Sequence, residues 1–206
     1  EVFYPMKPKI WEIALAIALV VTLVCGFTLD REQTELSEKL IRLHVVANSD
    51  TEEDQALKLK VRDSILSELT VLLNGVEDKT EAQEIIGSHL KELCKAAQQT
   101  IRDEGYNYAV TTRLMTEDFP SRNYTTFSLP AGKYTALRVT IGAGEGHNWW
   151  CVIFPPLCAG AATTGDVSDM GLTDDEIGLI TESSGKYVIR FKAIEIFSAI
   201  RSALGV

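Results

Sequence analysis

The apolar residues of this chain change their spacing at Tyr106, and that change restricts the fold to one with separate helical and strand regions. Before it, apolar residues recur every three or four positions from Thr51 to Leu73 and again from Thr80 to Glu104, which is the spacing of amphipathic helices. From Tyr106 to Leu114 the spacing becomes two, with the aromatic and β-branched residues typical of a strand. The sequence therefore predicts an α+β fold with two long helices packed on a mainly antiparallel sheet.

Further segments are expected to complete this sheet. Pro130-Ala131-Gly132 separates two strand-like runs and is a typical hairpin connection, in which Gly132 would take a positive φ angle. The predicted additional strands are Leu40 to Ala47, Tyr124 to Leu129, Lys133 to Ile141, Cys151 to Phe154 and Tyr187 to Phe191, and the predicted closing helix is Ala193 to Leu204.

An uncharged apolar run from Ile13 to Leu29 follows Lys7 and Lys9 near the N-terminus. A helix of about 17 residues is roughly 25 Å long, which is close to the lower limit for crossing a bilayer. We therefore expect residues 1–32 to form a signal peptide or a membrane anchor that associates the chain with the membrane. A polar linker from Asp30 to Glu38 would lead into an extracytoplasmic domain of residues 33–206. The alternative is a buried core helix.

The charge balance restricts the partners of the chain. The formal net charge is −9, which disfavours nucleic acid as a partner because phosphate binding requires clustered Lys and Arg. The same charge should keep the exported domain away from anionic membrane surfaces. Hydrophobic residues make up 46% of the chain and charged residues 24%, so most of its length is expected to be folded.

The segment from Gly142 to Cys158 combines a glycine-rich backbone with aromatic, titratable and thiol side chains. Its three glycines at alternate positions predict a sharp turn or a close approach to another surface. Trp149 and Trp150 are adjacent, so in an extended segment they should point to opposite faces, and one of them would be available to a partner. The alternative is that both indoles cover the core. The candidate partner-contact residues of this segment are Glu145, His147, Asn148, Trp149 and Trp150.

A turn at Asn48-Ser49-Asp50 separates the first predicted strand from the first predicted helix. Ser49 or Asp50 is the expected N-cap of that helix, because side-chain oxygens at this position accept hydrogen bonds from free backbone N–H groups. A surface at the end of a strand is usually accessible. His44, Asn48 and Asp50 are therefore added to the candidate partner-contact residues.

The sequence predicts no cofactor and no metal site. The glycines do not form a phosphate-binding loop, because no Lys-Ser/Thr pair follows them and they precede a strand rather than a helix. A metal site would need His44 and His147 to converge with a carboxylate such as Glu145 or Asp50, and the three histidines are widely scattered. His89 is expected to be a partly buried packing residue of the second helix.

The cysteines leave two interpretations open. Cys151 and Cys158 flank a Pro pair, and in an exported protein they could form a disulfide. Two buried free thiols are the alternative, and Cys94 is expected in the core.

A second functional hypothesis is a thiol hydrolase of the cell envelope. Cys151 would be its nucleophile, with His147 or His44 as the base and Asn48 or Asp50 orienting that base. No signature of a known cysteine peptidase surrounds Cys151, so the residues alone favour a binding protein over this enzyme.

Two long motifs resemble the stage II sporulation protein R family of endospore-forming bacteria. The motifs are Ile41 to Asp50 continuing through Glu53 to Asp63, and Gly144 to Cys151 continuing through Pro155 to Cys158. The resemblance implies a signalling protein, not an enzyme, that is exported from the forespore into the space between the two sporulation membranes. It also implies a partner there, a membrane-embedded aspartic protease that cleaves the inactive precursor of sigma factor E.

Overall fold

The computed structural model describes residues 10–124 and 128–156, except for the side chains of residues 18, 21–33 and 123. The predicted strand Tyr187 to Phe191, the predicted helix Ala193 to Leu204 and Cys158 lie outside the described residues. In chain order the elements are α1 (Ile10–Lys39), β1 (Ile41–Val46), α2 (Glu52–Leu72), α3 (Lys79–Ser88), α4 (Leu90–Asp103), β2 (Val110–Phe119), β3 (Arg122–Asn123), β4 (Ser128–Leu129), β5 (Gly132–Ile141) and β6 (Asn148–Phe154). This order of helices and strands confirms the predicted α+β class.

The main sheet has the strand order β2-β5-β1-β6. β2 and β6 run antiparallel to their neighbours, as predicted, but β1 and β5 pair in parallel. A parallel pair needs a long crossover connection, and here helices α2, α3 and α4 lie in that connection. The strand β1 is therefore central and carries residues to the middle of both faces of the sheet.

The predicted hairpin around Pro130 is wrong. β5 pairs with β2 and β1, whereas β4 pairs with β3 in a separate two-stranded sheet. Gly132 is the first residue of β5, and it is not among the positive-φ glycines of the described residues.

The two faces of β1 enter different cores. Ile41, Leu43 and Val45 are fully buried in the larger cluster, together with residues of α2, α3 and α4. The alternate residues Arg42 and His44 are also buried, on the face where a smaller cluster joins the end of α1 to the sheet. This alternation follows from the period of two of a strand.

The N-cap of α2 differs from the predicted one. Thr51, rather than Ser49 or Asp50, caps α2, and its Oγ1 accepts a hydrogen bond from the Asp54 N–H at 3.3 Å. Asp78 caps α3 and accepts hydrogen bonds from two backbone N–H groups at 2.8 and 3.0 Å. The side chains of Ser49 and Asp50 are not available for capping because they bind other groups, as described below.

The second predicted helix is divided at His89 into α3 and α4. Next to the break, Ser88 donates a hydrogen bond from its hydroxyl to the Ile85 carbonyl at 2.9 Å, and Nδ1 of His89 lies 2.8 Å from the same oxygen. Side chains that compete for backbone acceptors in this way weaken the helical hydrogen-bond ladder. His89 is half-buried at the junction rather than packed within one continuous helix.

The helix α1 extends to Lys39, so the predicted polar linker up to Glu38 is helical. Leu36 is fully buried in the smaller cluster, and Lys79 donates a hydrogen bond to the Ser37 carbonyl at 3.2 Å. Within the described ranges, no helix combines the length and the apolar character that a membrane span requires. The predicted division of the chain at residue 32 stays a prediction.

Candidate functional site

The loop between β5 and β6 is bound to the turn between β1 and α2. The backbone N–H of Glu145 donates to the Asn48 carbonyl at 3.1 Å, and that of Gly146 donates to the Ala47 carbonyl at 3.0 Å. The Asn48 side chain adds a third contact, because its Oδ1 accepts from the Ala143 N–H at 3.0 Å. The two distinctive sequence motifs therefore form one continuous surface.

Two of the loop glycines are required by this close approach. Gly142 has a φ of 56°, and a Cβ atom on it would overlap the Asn48 side chain. A Cβ atom on Gly146 would overlap the backbone carbonyl of Ser49. The first glycine is needed for a left-handed conformation, and the second for contact between two backbone segments.

A buried carboxylate fixes the turn from below. Asp54 is 4% exposed, and its Oδ2 accepts hydrogen bonds from the Ser49 hydroxyl at 2.5 Å and from the Asn48 amide at 2.8 Å. Burial alone would raise the pKa of this carboxyl, but the hydrogen bonds from Ser49, Asn48 and Tyr108 outweigh it and hold the pKa below its ordinary value. The helical pattern of α2 alone gives no indication of this role for Asp54.

We expect Asp54→Asn to reduce the loss of stability that the protein suffers in acid. A carboxyl whose pKa is lowered by folding contributes stability above the pKa of the unfolded chain, and this contribution is lost as the pH falls through the folded-state pKa. The variant should be less stable than the wild type at neutral pH. The difference in free energy of unfolding between the two proteins should shrink as the pH falls from the unfolded-chain pKa of the Asp54 carboxyl to its folded-state pKa. Urea unfolding at a series of pH values measures the effect. A difference that does not depend on pH would contradict this account.

A buried lysine connects α2 to the start of β6. Lys58 is 5% exposed, and its Nζ donates to Oε1 of Gln55 at 2.5 Å and to the His147 carbonyl at 3.0 Å. Burial lowers the pKa of the Lys58 ammonium, and the nearby Asp50 carboxylate partly opposes this change. The amphipathic pattern of α2 gave no indication of this role.

His147 and Asp50 form a surface pair at the mouth of the site. The backbone N–H of His147 donates to Oδ1 of Asp50 at 2.5 Å, and Nδ1 of the same His lies 2.5 Å from that oxygen. Both side chains are exposed. The structure thus brings together two residues that the sequence proposed separately as partner contacts.

His44 is buried in the middle of β1, so the expectation that it lies on an accessible strand end is wrong. Its Nδ1 lies 2.9 Å from Oε1 of Glu117 and its Nε2 lies 2.8 Å from Oδ1 of Asn148. Glu117 is also paired with Arg138 at 3.2 Å. Both ring nitrogens lie within hydrogen-bond distance of an oxygen atom, so the ring is held on both sides. His44 supports the site through Asn148 rather than contacting solvent.

The two tryptophans point to opposite faces of β6, as predicted. Trp149 packs against the larger cluster, where the Arg62 guanidinium lies 4.4 Å from the centre of its ring. Trp150 joins the smaller cluster and stacks on His44 with ring centres 5.7 Å apart. The Arg122 guanidinium lies 4.0 Å from the Trp150 ring centre, within the range of a cation–π interaction.

These elements enclose an open cleft of about 590 Å³, a size typical of ligand sites. The residues that line this cleft are Asp50, Arg122, Tyr124, Glu145, Gly146, His147, Asn148, Trp149 and Trp150. Arg122 and Tyr124 are not among the contact residues predicted from the sequence. Two predicted contact residues, His44 and Asn48, do not line the cleft and instead fix residues around it.

The cysteines do not assemble the proposed hydrolase. Cys151 is disulfide-bonded and Cys94 is free, so Cys151 offers no thiolate as a nucleophile. It pairs in register with Leu43 and packs in the larger cluster, on the face of the sheet opposite to His44. Cys158 lies outside the described residues, and its pairing with Cys151 stays a prediction. Among the described residues, no three His, Cys, Asp or Glu side chains form a group that could hold a metal ion.

Comparison with known proteins assigns the chain to a family. The model of the stage II sporulation protein R family matches residues 37–164. Stage II sporulation protein R of Bacillus subtilis (strain 168) is 37% identical over 129 residues, which are 63% of this chain and 58% of that protein. The match thus spans less than two thirds of the relative's length, and no solved structure matches the chain. The chain belongs to the stage II sporulation protein R family.

Proposed function

We propose that this chain is an exported signalling protein that activates a membrane-embedded aspartic protease, which then cleaves the inactive precursor of sigma factor E. Membership of the family supports a role in sporulation. Export from the forespore into the space between the two membranes belongs to the same proposal, with the N-terminal segment as its signal or anchor. In this proposal the chain is the messenger and the protease performs the chemistry.

The observation that carries the proposal is the position and make-up of the cleft. All of its lining residues fall within the segment that matches the family model. They include two tryptophans, a tyrosine and an arginine, the residue types that contribute most to binding energy in protein interfaces. A surface of this composition is suited to contact with another protein.

The cleft is also held in place before any partner arrives. Asn48, Asp54 and Lys58 fix the loop at its mouth through hydrogen bonds to the turn and to the backbone. A preformed surface loses less conformational entropy on binding than a mobile one. This rigidity supports recognition, and it does not require a catalytic group.

Association with the protease tests the first step of the proposal. The full chain, carrying an affinity tag, should retain the detergent-solubilised protease in a co-purification at micromolar concentration. The same experiment with the protease bearing an unrelated extracytoplasmic segment is the control and should show no retention. Failure of the wild-type chain to retain the protease would count against direct contact.

A further inference from the structure

We propose that the cleft binds a carboxylate side chain of a peptide segment from the partner protein, at the end formed by Arg122, Tyr124 and Trp150. This inference rests on the proposed function and specifies the chemistry of the contact. It is derived from the charges that remain unpaired around the cleft.

Arg122 is the exposed cation of this end. Its guanidinium stacks on the Trp150 ring at 4.0 Å and forms no ion pair with a carboxylate of the described residues. A guanidinium held over an aromatic ring keeps N–H groups that can donate two hydrogen bonds to one carboxylate. Trp150 therefore holds the Arg122 guanidinium in place, and its N–H groups remain available to an anionic ligand.

A second arginine lies behind this end of the cleft. Arg42 is fully buried, and its Nε and Nη1 have no hydrogen-bond partner. Its Nη2 donates to the Tyr124 hydroxyl at 2.7 Å, and no carboxylate of the described residues pairs with it. A buried charge without a counter-ion is costly, and its field in a medium of low dielectric adds to that of Arg122. Arg122 thus lines this end of the cleft, and Arg42, which lies over the Phe119 and Tyr134 rings, contacts the cleft residue Tyr124 from the protein interior. Neither cation has a carboxylate partner among the described residues, in a chain whose net charge is −9.

The acidic lining residues of the cleft favour a peptide over a membrane surface. Asp50, on the turn, and Glu145, on the loop, also line the cleft, and Glu145 forms no ion pair with any described residue. An anionic bilayer would bring many negative charges against these carboxylates, whereas a peptide can place one carboxylate at Arg122 and a neutral or basic residue at Glu145. The preferred occupant is therefore a short segment of the extracytoplasmic part of the protease.

Synthetic peptides that cover the extracytoplasmic loops of the protease test this inference by calorimetric titration against the full chain. One peptide containing Asp or Glu should bind, and replacing that acid by its amide should weaken binding about tenfold. Arg122→Gln should cause a similar loss. The two losses should not add when combined, because both remove the same interaction. Arg113→Gln, which removes an exposed arginine of β2 outside the cleft, is the matched control and should bind normally.

The outcomes separate this inference from the proposed function. Equal binding of the acidic peptide to the wild type and to Arg122→Gln would overturn the carboxylate contact. If the wild type and Arg122→Gln stimulate precursor cleavage equally, the carboxylate contact is also overturned, but the proposed messenger role still stands. Binding to vesicles of phosphatidylglycerol that depends on Arg122, with no peptide bound, would overturn the peptide in favour of a membrane. If a peptide binds as expected but the chain fails to stimulate cleavage, the contact stands and the activation proposal fails.

Discussion

Replacing Gly146 with Ala is expected to lower the free energy of unfolding by about 3 kcal/mol. The added Cβ atom would overlap the carbonyl group of Ser49, which belongs to the backbone of a turn and has little freedom to move. Relief requires the loop and the turn to separate, which would break the hydrogen bonds from Glu145 and Gly146 to that turn. Urea unfolding monitored by circular dichroism measures the change.

Two other glycines serve as controls for this prediction. Gly87 lies in α3, where a Cβ atom would make only an ordinary contact at 3.8 Å with Leu114, so Gly87→Ala should be neutral or stabilise by roughly 0.5–1 kcal/mol. Gly75 has a φ of 77° with open space around it, so Gly75→Ala reports backbone strain without overlap. Gly146→Ala should lower the free energy of unfolding more than Gly87→Ala or Gly75→Ala does. A cost no larger than that of Gly75→Ala would show that the turn and the loop are not tightly joined.

Trp150→Ala is expected to weaken binding to the protease about 30-fold, the loss typical of an interface hot spot. The substitution removes the ring on which Arg122 stacks and which contacts His44 from within the sheet. The orientation of Arg122 and the shape of the cleft therefore change together. Co-purification yield and the dose of chain needed for half-maximal precursor cleavage are the two measurements.

The control for Trp150→Ala has to separate binding from folding. Trp150→Phe keeps an aromatic surface beneath Arg122 and should retain most of the binding. Met115→Ala removes a large apolar side chain that is 40% exposed on β2, outside the cleft, and should have no effect on binding. If Met115→Ala weakens association as much as Trp150→Ala, the contact surface lies elsewhere.

The sequence predicts the elements of this fold better than their pairing. The strand before Asn48 and the long helix after it are confirmed within a residue or two, because their hydrophobic periods and turn residues are local signals. The strands that pair with β5 could not be predicted from such local signals. Pro130 and Gly132 signal a turn, but they do not say which strand lies beside the next one, and β5 pairs with two strands that are distant in sequence.

The same limit applies to the candidate site. The glycines of the loop and the turn at Asn48 stand out because few residue types tolerate such backbone positions. Asp54, Lys58 and Arg122 do not stand out, because acidic and basic residues are ordinary on helix surfaces and in turns. Their roles arise from contacts with segments far along the chain, such as Lys58 with the His147 carbonyl. The exposure of His44 was wrongly predicted for the same reason, since its hydrogen-bond partner Glu117 lies on another strand.

Cleavage of the sigma factor E precursor by the membrane-embedded protease tests the account most directly. The precursor and the protease are produced together in a bacterium that does not sporulate, with and without the full chain, and the processed sigma factor is detected by immunoblot. We predict processing when all three proteins are present, and none when the chain is omitted or when the catalytic Asp of the protease is replaced. Processing that is equal without the chain, or that persists without an active protease, would contradict the account.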